Sequence, residues 1–202
     1  MSVSIIDDVF DADTHAKIFS FLSLPTWGFG WKSDVRNEHS FWHKHFAGNI
    51  RPDHVDSAGA GQQYDCAEEL KRRAPLIYDQ WLALSAAPGP MHRCALTRCY
   101  ANGFTYGNDG SVHTDSRTEG SLTAVYYPNP SWDPNWGGET VLFNQAKTDI
   151  DTSVYPRPNR LVVFPGIVPH VARGVSRTCP VMRITLVFKM ERPLPTEIPD
   201  SL

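Results

Sequence analysis

The chain contains no run close to the roughly 18 consecutive apolar residues that a membrane-spanning helix requires, so an integral membrane role through helices is not expected. Its first residues, MSVSIIDDVF, lack the basic-then-apolar order of a secretory leader, and the cytoplasm is the expected compartment. Cysteine is scarce, and none of the four sits in a C-x-x-C pair, which removes the usual zinc and dithiol signatures. Cys94 and Cys99 fall in a strand-like segment, ~16 Å apart and on opposite faces of an ideal strand, beyond disulfide reach. Reduced thiols follow from that spacing. A basic surplus is also absent: 19 Lys and Arg face 22 Asp and Glu, for a net charge of −3 and a pI near 6.2. That balance speaks against a dedicated nucleic-acid binder.

What is present is a globular composition. Hydrophobic residues make up 41% of the 202 positions, with ten Phe, seven Tyr and six Trp, enough apolar surface for a packed core. The length suits one domain over 1–202. The charge is unevenly placed. Residues 151–190 hold six basic side chains against one acid, while the first 150 hold twelve basic and eighteen acidic. Such a basic segment is either a solvated face or a place where a small anion binds.

Patterning divides the chain near residue 90. Before it, Val3 to Ile6 reads as a short strand, and DADTHAKIFSFLSL reads as a helix capped by Asp11 or Asp13. Ile18, Phe19, Phe21 and Leu22 form its apolar face, and Pro25 ends it. TWGFGWKS looks extended, residues 34–62 carry no clear pattern, and a helix is expected from Cys66 to Leu84. Pro75 either kinks that helix or starts its second half. APGP at 87–90 is a break. Beyond it, 94–100, 121–127, 139–143, 161–164 and 181–188 are short β-branched and aromatic runs separated by Pro, Gly, Asn and Asp, the pattern of a sandwich or barrel. The expected layout is a helix-containing support over 1–90 and a β core over 91–190.

Three segments of the β half carry chemistry. In GSVHTDSRTEG, His113 and Asp115 are two apart, so in an extended strand they share a face and reach one metal ion. His170, after a strand in FPGIVPHVARG, supplies a third ligand. Two His and one carboxylate leave three coordination positions open, the arrangement of non-haem Fe(II) oxygenases. In PVMRITLVFK, Met182, Ile184, Leu186 and Phe188 form one face and Val181, Arg183, Thr185 and Val187 the other. If the second face also looks inward, Arg183 is buried and needs an anionic partner; a carboxylate would supply a bidentate one.

With these residues in view, CYANGFTYGNDGSVHTD, VYYPNPSWDPNWGGETVLF, NRLVVFPGIVPHVARGVS and MRITLVFK together resemble the Fe(II)/2-oxoglutarate-dependent oxygenases of the prolyl-hydroxylase-like branch. The resemblance runs from Cys94 to Lys189. It implies a double-stranded β-helix (jelly roll) with helices packed outside one sheet. It also implies Fe(II), 2-oxoglutarate and O2 as cofactor and cosubstrates, with 2-oxoglutarate decarboxylated to succinate and CO2 as a C–H bond is hydroxylated. By the same resemblance His113, Asp115 and His170 match the iron ligands, Arg183 the residue pairing with the distal carboxylate of 2-oxoglutarate, and Tyr100 and Tyr127 cosubstrate-contacting tyrosines. Arg183 lies thirteen residues after His170, further than is usual in this branch. Arg173 and Arg177 are nearer rivals, but they fall in a Gly/Ser turn.

Substrate is the least determined part. Arg117, Trp132 and Trp136 occupy positions that contact substrate in such enzymes, and Trp27, Trp31 and the 39–45 segment could close the mouth. HSFWHKHF brings His39, His43 and His45 together without a further ligand pattern, so a surface or pocket-rim place is expected rather than a zinc site. Asp109, Glu119 and Glu139 have no defined separation for a glycosidase pair; they are expected in loop, turn and strand. A small molecule or short peptide is favoured as substrate, with no nucleic acid or membrane partner. A peptidyl or protein hydroxylase and a non-catalytic jelly-roll binding module are the alternatives.

Overall fold

Alternation of buried residues organises the molecule into two packed sheets with helices outside the larger one. The structure is a computed structural model describing residues 3–33, 39–49 and 64–192. The larger sheet runs β1 (Ser4–Ile6), β8 (Arg160–Pro165), β5 (Ser121–Tyr127), β10 (Arg183–Glu191), β4 (Ala95–Phe104), β3 (Phe41–Gly48) and β2 (Gly28–Trp31). The smaller runs β7 (Ile150–Val154), β6 (Thr140–Phe143) and β9 (His170–Ala172). Every pairing among these strands is antiparallel. This is the jelly roll expected from the sequence.

Two apolar layers hold it. On the outer face, Ile184, Leu186, Phe188 and Met190 of β10 join Leu96, Cys99 and Ala101 of β4 against the helices, with Ile18, Leu22, Leu70, Ile77 and Trp81 in the same cluster. On the inner face, Tyr100, Val125, Tyr127, Val162, Phe164 and Val187 meet Leu142, Val154 and Val168. A strand buried on both faces reads as a nearly continuous apolar run, which is why RITLVFKM stands out in the sequence. Three ion pairs tie the turn after β1 to β8 and the loop before it: Arg160 Nε donates to Asp7 at 2.6 Å, and Arg157 reaches Asp7 at 3.0 Å and Asp8 at 3.2 Å.

Helix α1 (Ala12–Leu22) begins where Asp11 Oδ1 accepts from Thr14 N at 2.9 Å, an N-cap. The expected helix from Cys66 to Leu84 is two helices, α2 (Ala67–Arg73) and α3 (Pro75–Ala86). Pro75 has no N–H to donate and disfavours helical geometry at the residue before it. Ala74 accordingly sits at φ −147°, and Pro75 opens α3 in the first turn.

Several expectations are corrected. The HSFWHKHF histidines divide: His39 is exposed, as a surface place requires, while His43 and His45 are half-buried beside the cleft. β3 carries His43 and His45 onto the inner face of the large sheet, opposite Asn102 and Tyr100, where His43 Nδ1 donates to Asn102 Oδ1 at 2.9 Å and the ring stacks on Trp31 at 3.9 Å. Only part of the unpatterned 34–62 stretch lies within the described residues, and that part includes β3. Cys94 and Cys99 are free thiols as expected, yet they share one apolar cluster rather than opposite faces. Cys94 precedes β4, and a bulge at Thr97 resets the alternation between Leu96 and Cys99. Val181 is 42% exposed, because β10 starts only at Arg183. β7 and β9 were not foreseen: one is mostly polar and exposed, the other three residues long.

Candidate active site

The cleft lies between the two sheets, and backbone pairing assembles it. His113 is on a single bridging residue rather than in a continuous strand. Its N donates to His170 O at 3.0 Å and its O accepts from His170 N at 2.8 Å, so the ladder itself sets the two rings side by side, centroids 4.4 Å apart. Asp115 N donates to Gly166 O at 2.8 Å, which turns the carboxylate toward the rings. The distances are 3.4 Å from His113 Nε2 to Asp115 Oδ1 and 3.2 Å from His170 Nε2 to Asp115 Oδ2. The three ligating atoms lie within 4.8 Å of one another.

The ring orientations are fixed by the other nitrogens. His113 Nδ1 faces Ser111 O at 2.8 Å and His170 Nδ1 faces Val168 O at 2.9 Å. A carbonyl can only accept, so each Nδ1 carries the proton and each Nε2 presents a lone pair to the shared space. This is the orientation that metal-bound histidines adopt. Burial would push the Asp115 carboxyl up, but the Lys189 ammonium and the two imidazoles reverse the sign and hold it well below the ordinary range. Burial lowers His170, with Asp115 opposing. Both shifts favour deprotonated ligands at neutral pH, the form a divalent cation requires. The donor set thus fits a facial metal site.

Arg183 is 1% exposed, among the largest fully buried side chains. Asn129 fixes its strand entry: its amide nitrogen donates to Met182 O and its Oδ1 accepts from Ile184 N, both at 2.9 Å. The guanidinium donates to Gly138 O and to Thr140 Oγ1 at 3.1 Å, and lies over the rings of Tyr127 and Phe104 at 5.5 and 5.8 Å. Burial lowers its pKa, but an arginine stays cationic. No carboxylate among the described residues pairs with it. Gly138, at φ +80°, permits this approach, since a Cβ there would stand 2.8 Å from Arg183 Cδ.

The other expected residues divide. Tyr100 lines the cleft with the triad, Arg183, Thr185 and Val187. Tyr127 sits behind it, donating to Thr140 Oγ1 at 2.7 Å and flanking Arg183. Burial raises both phenols. Arg173 and Arg177 are exposed and outside the cleft. Trp31 lines the cleft; Trp132 and Trp136 are not among its lining residues and pack edge-to-face at 5.3 Å, Trp132 Nε1 donating to Gly137 O beside the Gly137–Gly138 loop. Trp27 bonds Leu22 O and packs on the helical side. Glu139 accepts from Arg173 N through its carbonyl just before β6, a strand-supporting place.

Sequence reasoning missed Lys189, whose Nζ contacts Asp115 Oδ2 and, at 3.2 Å, Thr123 Oγ1; Thr123 in turn donates to Asp115 at 2.6 Å. Extending the Arg183, Thr185, Val187 alternation by one step would have found it. The cleft measures about 140 Å³, comparable to the roughly 150 Å³ cavity that admits benzene, room for a small dicarboxylate.

A two-sheet antiparallel barrel with two His and one carboxylate grouped beside a buried cation is the arrangement of non-haem iron enzymes of the jelly-roll class. Residues 96–189 match the 2OG-Fe(II) oxygenase superfamily, a match that supports a 2-oxoglutarate-dependent dioxygenase using Fe(II), 2-oxoglutarate and O2. Solved structures share the fold. A 2OG-Fe(II) oxygenase family oxidoreductase from Burkholderia pseudomallei superposes with a TM-score of 0.65 at 20% identity, over 95% of this chain and 85% of that one. A prolyl-4-hydroxylase from Pseudomonas putida gives 0.58 at 18%, over 95% and 93%. A Trichoplax adhaerens prolyl hydroxylase, solved with a hypoxia inducible factor oxygen degradation domain peptide, gives 0.58 at 16%, over 94% and 83%. No curated protein matches the chain in sequence. Among the described residues, no helix is long and apolar enough to cross a membrane.

Proposed function

We propose that His113, Asp115 and His170 hold the Fe(II), that Arg183 anchors the distal carboxylate of 2-oxoglutarate with Tyr100 lining its site and Tyr127 supporting it, and that the acceptor is a small molecule or short peptide hydroxylated at one C–H bond. The bound iron would supply activation of O2, with 2-oxoglutarate decarboxylated to succinate. The residues of this chain do the rest. The two imidazoles and one carboxylate offer ligating atoms on one side only, Arg183 orients the cosubstrate, and the apolar walls of Val125, Val187 and Phe104 exclude water. The observation that carries this reading is the buried, carboxylate-free Arg183 in the same cleft as the triad. An isolated buried cation is costly unless a ligand completes it.

The chain is read as one domain over 1–202, with residues 1–90 supporting 91–190, and as cytoplasmic, in keeping with its four free cysteines. The test is succinate formation from 2-oxoglutarate by Fe(II)-loaded enzyme under O2 across a panel of small-molecule and peptide acceptors. Stimulation by one acceptor, with hydroxylated product in equal amount, supports the reading. Absence of any Fe(II)-dependent succinate overturns it.

A further inference from the structure

Arg98 and Lys189 stand directly opposite each other in the β4–β10 ladder. Directly opposed residues of an antiparallel pair have Cβ atoms roughly 5 Å apart, and like charges there destabilise the sheet. Both line the metal cleft. Regular alternation carries Arg98 onto the cleft face with Tyr100 and Asn102. The bulge at Thr97 sets two residues of β4 against one step of β10, so Thr97 and Arg98 both line the cleft while Leu96 and Cys99 stay in the outer core. Bulges beside active sites commonly re-aim a side chain in this way. Lys189 has Asp115 and Thr123 as partners. Among the described residues, Arg98 has no side-chain hydrogen bond or ion pair.

The charges of the cleft point the same way. Among the described residues that line it, Lys32, Arg98, Arg183 and Lys189 face Asp115 and Glu191, an excess of two positive charges in a chain whose net charge is negative. Fe(II) and 2-oxoglutarate carry equal and opposite charges, so loading the enzyme leaves that excess in place. Arg183 is accounted for at one end of β10. Lys189 lies six residues along the strand, roughly 20 Å away, next to the carboxylate of the proposed metal ligand. An anion at Arg98 and Lys189 would therefore belong to a molecule other than the cosubstrate, held within reach of the metal.

We infer that Arg98 and Lys189 form an anion-binding pair for the acceptor, and that the acceptor carries a carboxylate. This rests on the oxygenase reading above and names its substrate class. A carboxylate matches the guanidinium fork bidentately and accepts from the ammonium with its remaining lone pairs. It also relieves the opposed cations.

The experiment uses Fe(II)-loaded enzyme kept anaerobic with saturating 2-oxoglutarate and titrates matched acid and primary-amide pairs by calorimetry. One arm uses free L-amino acids and their amides; the other uses tripeptides with free or amidated C-termini, so the source of the carboxylate is distinguished. At least one acid should bind on the order of tenfold or more tighter than its amide, and the preference should weaken with added salt. Arg98→Gln should reduce it to within about threefold, and Arg98→Lys should keep part of it. A wild type that treats acid and amide alike, including one that binds neither, overturns the inference. So does a preference that survives Arg98→Gln, or a loss in that variant that falls on 2-oxoglutarate instead. Titration of 2-oxoglutarate into the wild type without acceptor tests the cosubstrate reading separately, and the acid–amide comparison repeated without 2-oxoglutarate tests the cation pair if that reading fails.

Discussion

Replacing Arg183 by Met should move ligand binding and stability in opposite directions. The side chain is 1% exposed, its hydrogen bonds go to the neutral acceptors Gly138 O and Thr140 Oγ1, and Thr140 also receives the Tyr127 hydroxyl. Truncating one member of a desolvated charge pair costs about 2–5 kcal/mol, roughly 30- to 4,000-fold in affinity, so the KM for 2-oxoglutarate should rise by that order. Without ligand, the same cation has no carboxylate to offset its desolvation. An apolar side chain of similar volume in place of a buried charge is often neutral or stabilising by roughly 1–4 kcal/mol. Thermal unfolding of ligand-free Arg183→Met should therefore occur at or above the wild-type temperature, by roughly 2–4 °C per kcal/mol for a chain of this size. Arg183→Lys keeps the charge but not the fork and should recover part of the affinity. The exposed Arg173 and Arg177 serve as controls, and their Ala variants should stay within a few-fold of wild type. The assay is steady-state titration of 2-oxoglutarate with calorimetric melting of the same samples. An unchanged KM in Arg183→Met, or a large effect at Arg177 with none at Arg183, would refute the reasoning.

Ala at His113, Asp115 or His170 should abolish turnover while circular dichroism stays near wild type; activity retained in any of them removes that residue from the metal site. Asp115→Ala should also melt lower than His113→Ala, by roughly 1–3 kcal/mol, because it strips the carboxylate from a Lys189 whose side chain is only 14% exposed. Fe(II) at 100 times its Kd should stabilise the fold by about 2.7 kcal/mol; Zn(II) and Co(II) should stabilise it too but inhibit, and a melting curve blind to all three metals contradicts the site. Burial, with His45 and Arg98 nearby, holds His43 down at about 4 despite its bond to Asn102. The unfolded chain takes up that proton near pH 6.5, so His43 contributes fully above pH 6.5 and loses up to about 3 kcal/mol as the pH falls toward 4. Urea melts of His43→Gln should show a flatter dependence over that window. Gly138→Ala places a Cβ against Arg183 at φ +80° and should weaken 2-oxoglutarate binding more than metal binding, read by separate titrations.

Much of this was legible in the chain because it depends on local rules. Period-two alternation in RITLVFK put Arg183 on a strand face and Leu186 and Phe188 on the other, and β10 carries them so. H-x-D followed by a distant His pointed to the three side chains that the structure brings within 4.8 Å, and Pro75 marked a helix boundary through its missing N–H. Other features came only from pairing between distant segments. The His113–His170 bridge sets the ring separation, and no spacing along the chain encodes which strands meet. The bulge at Thr97 is a property of the β4–β10 register, so the presence of Thr97 in the cleft and of Leu96 in the outer core was invisible to a pattern that assumes regular alternation, and which strand sets Lys189 opposite Arg98 is likewise a matter of pairing. His43 and His45 read as polar residues in a polar stretch; a neighbouring strand buries them and lowers their pKa values. Periodicity tells a side chain which face it takes, whereas burial and charge balance depend on what the rest of the chain brings to that face.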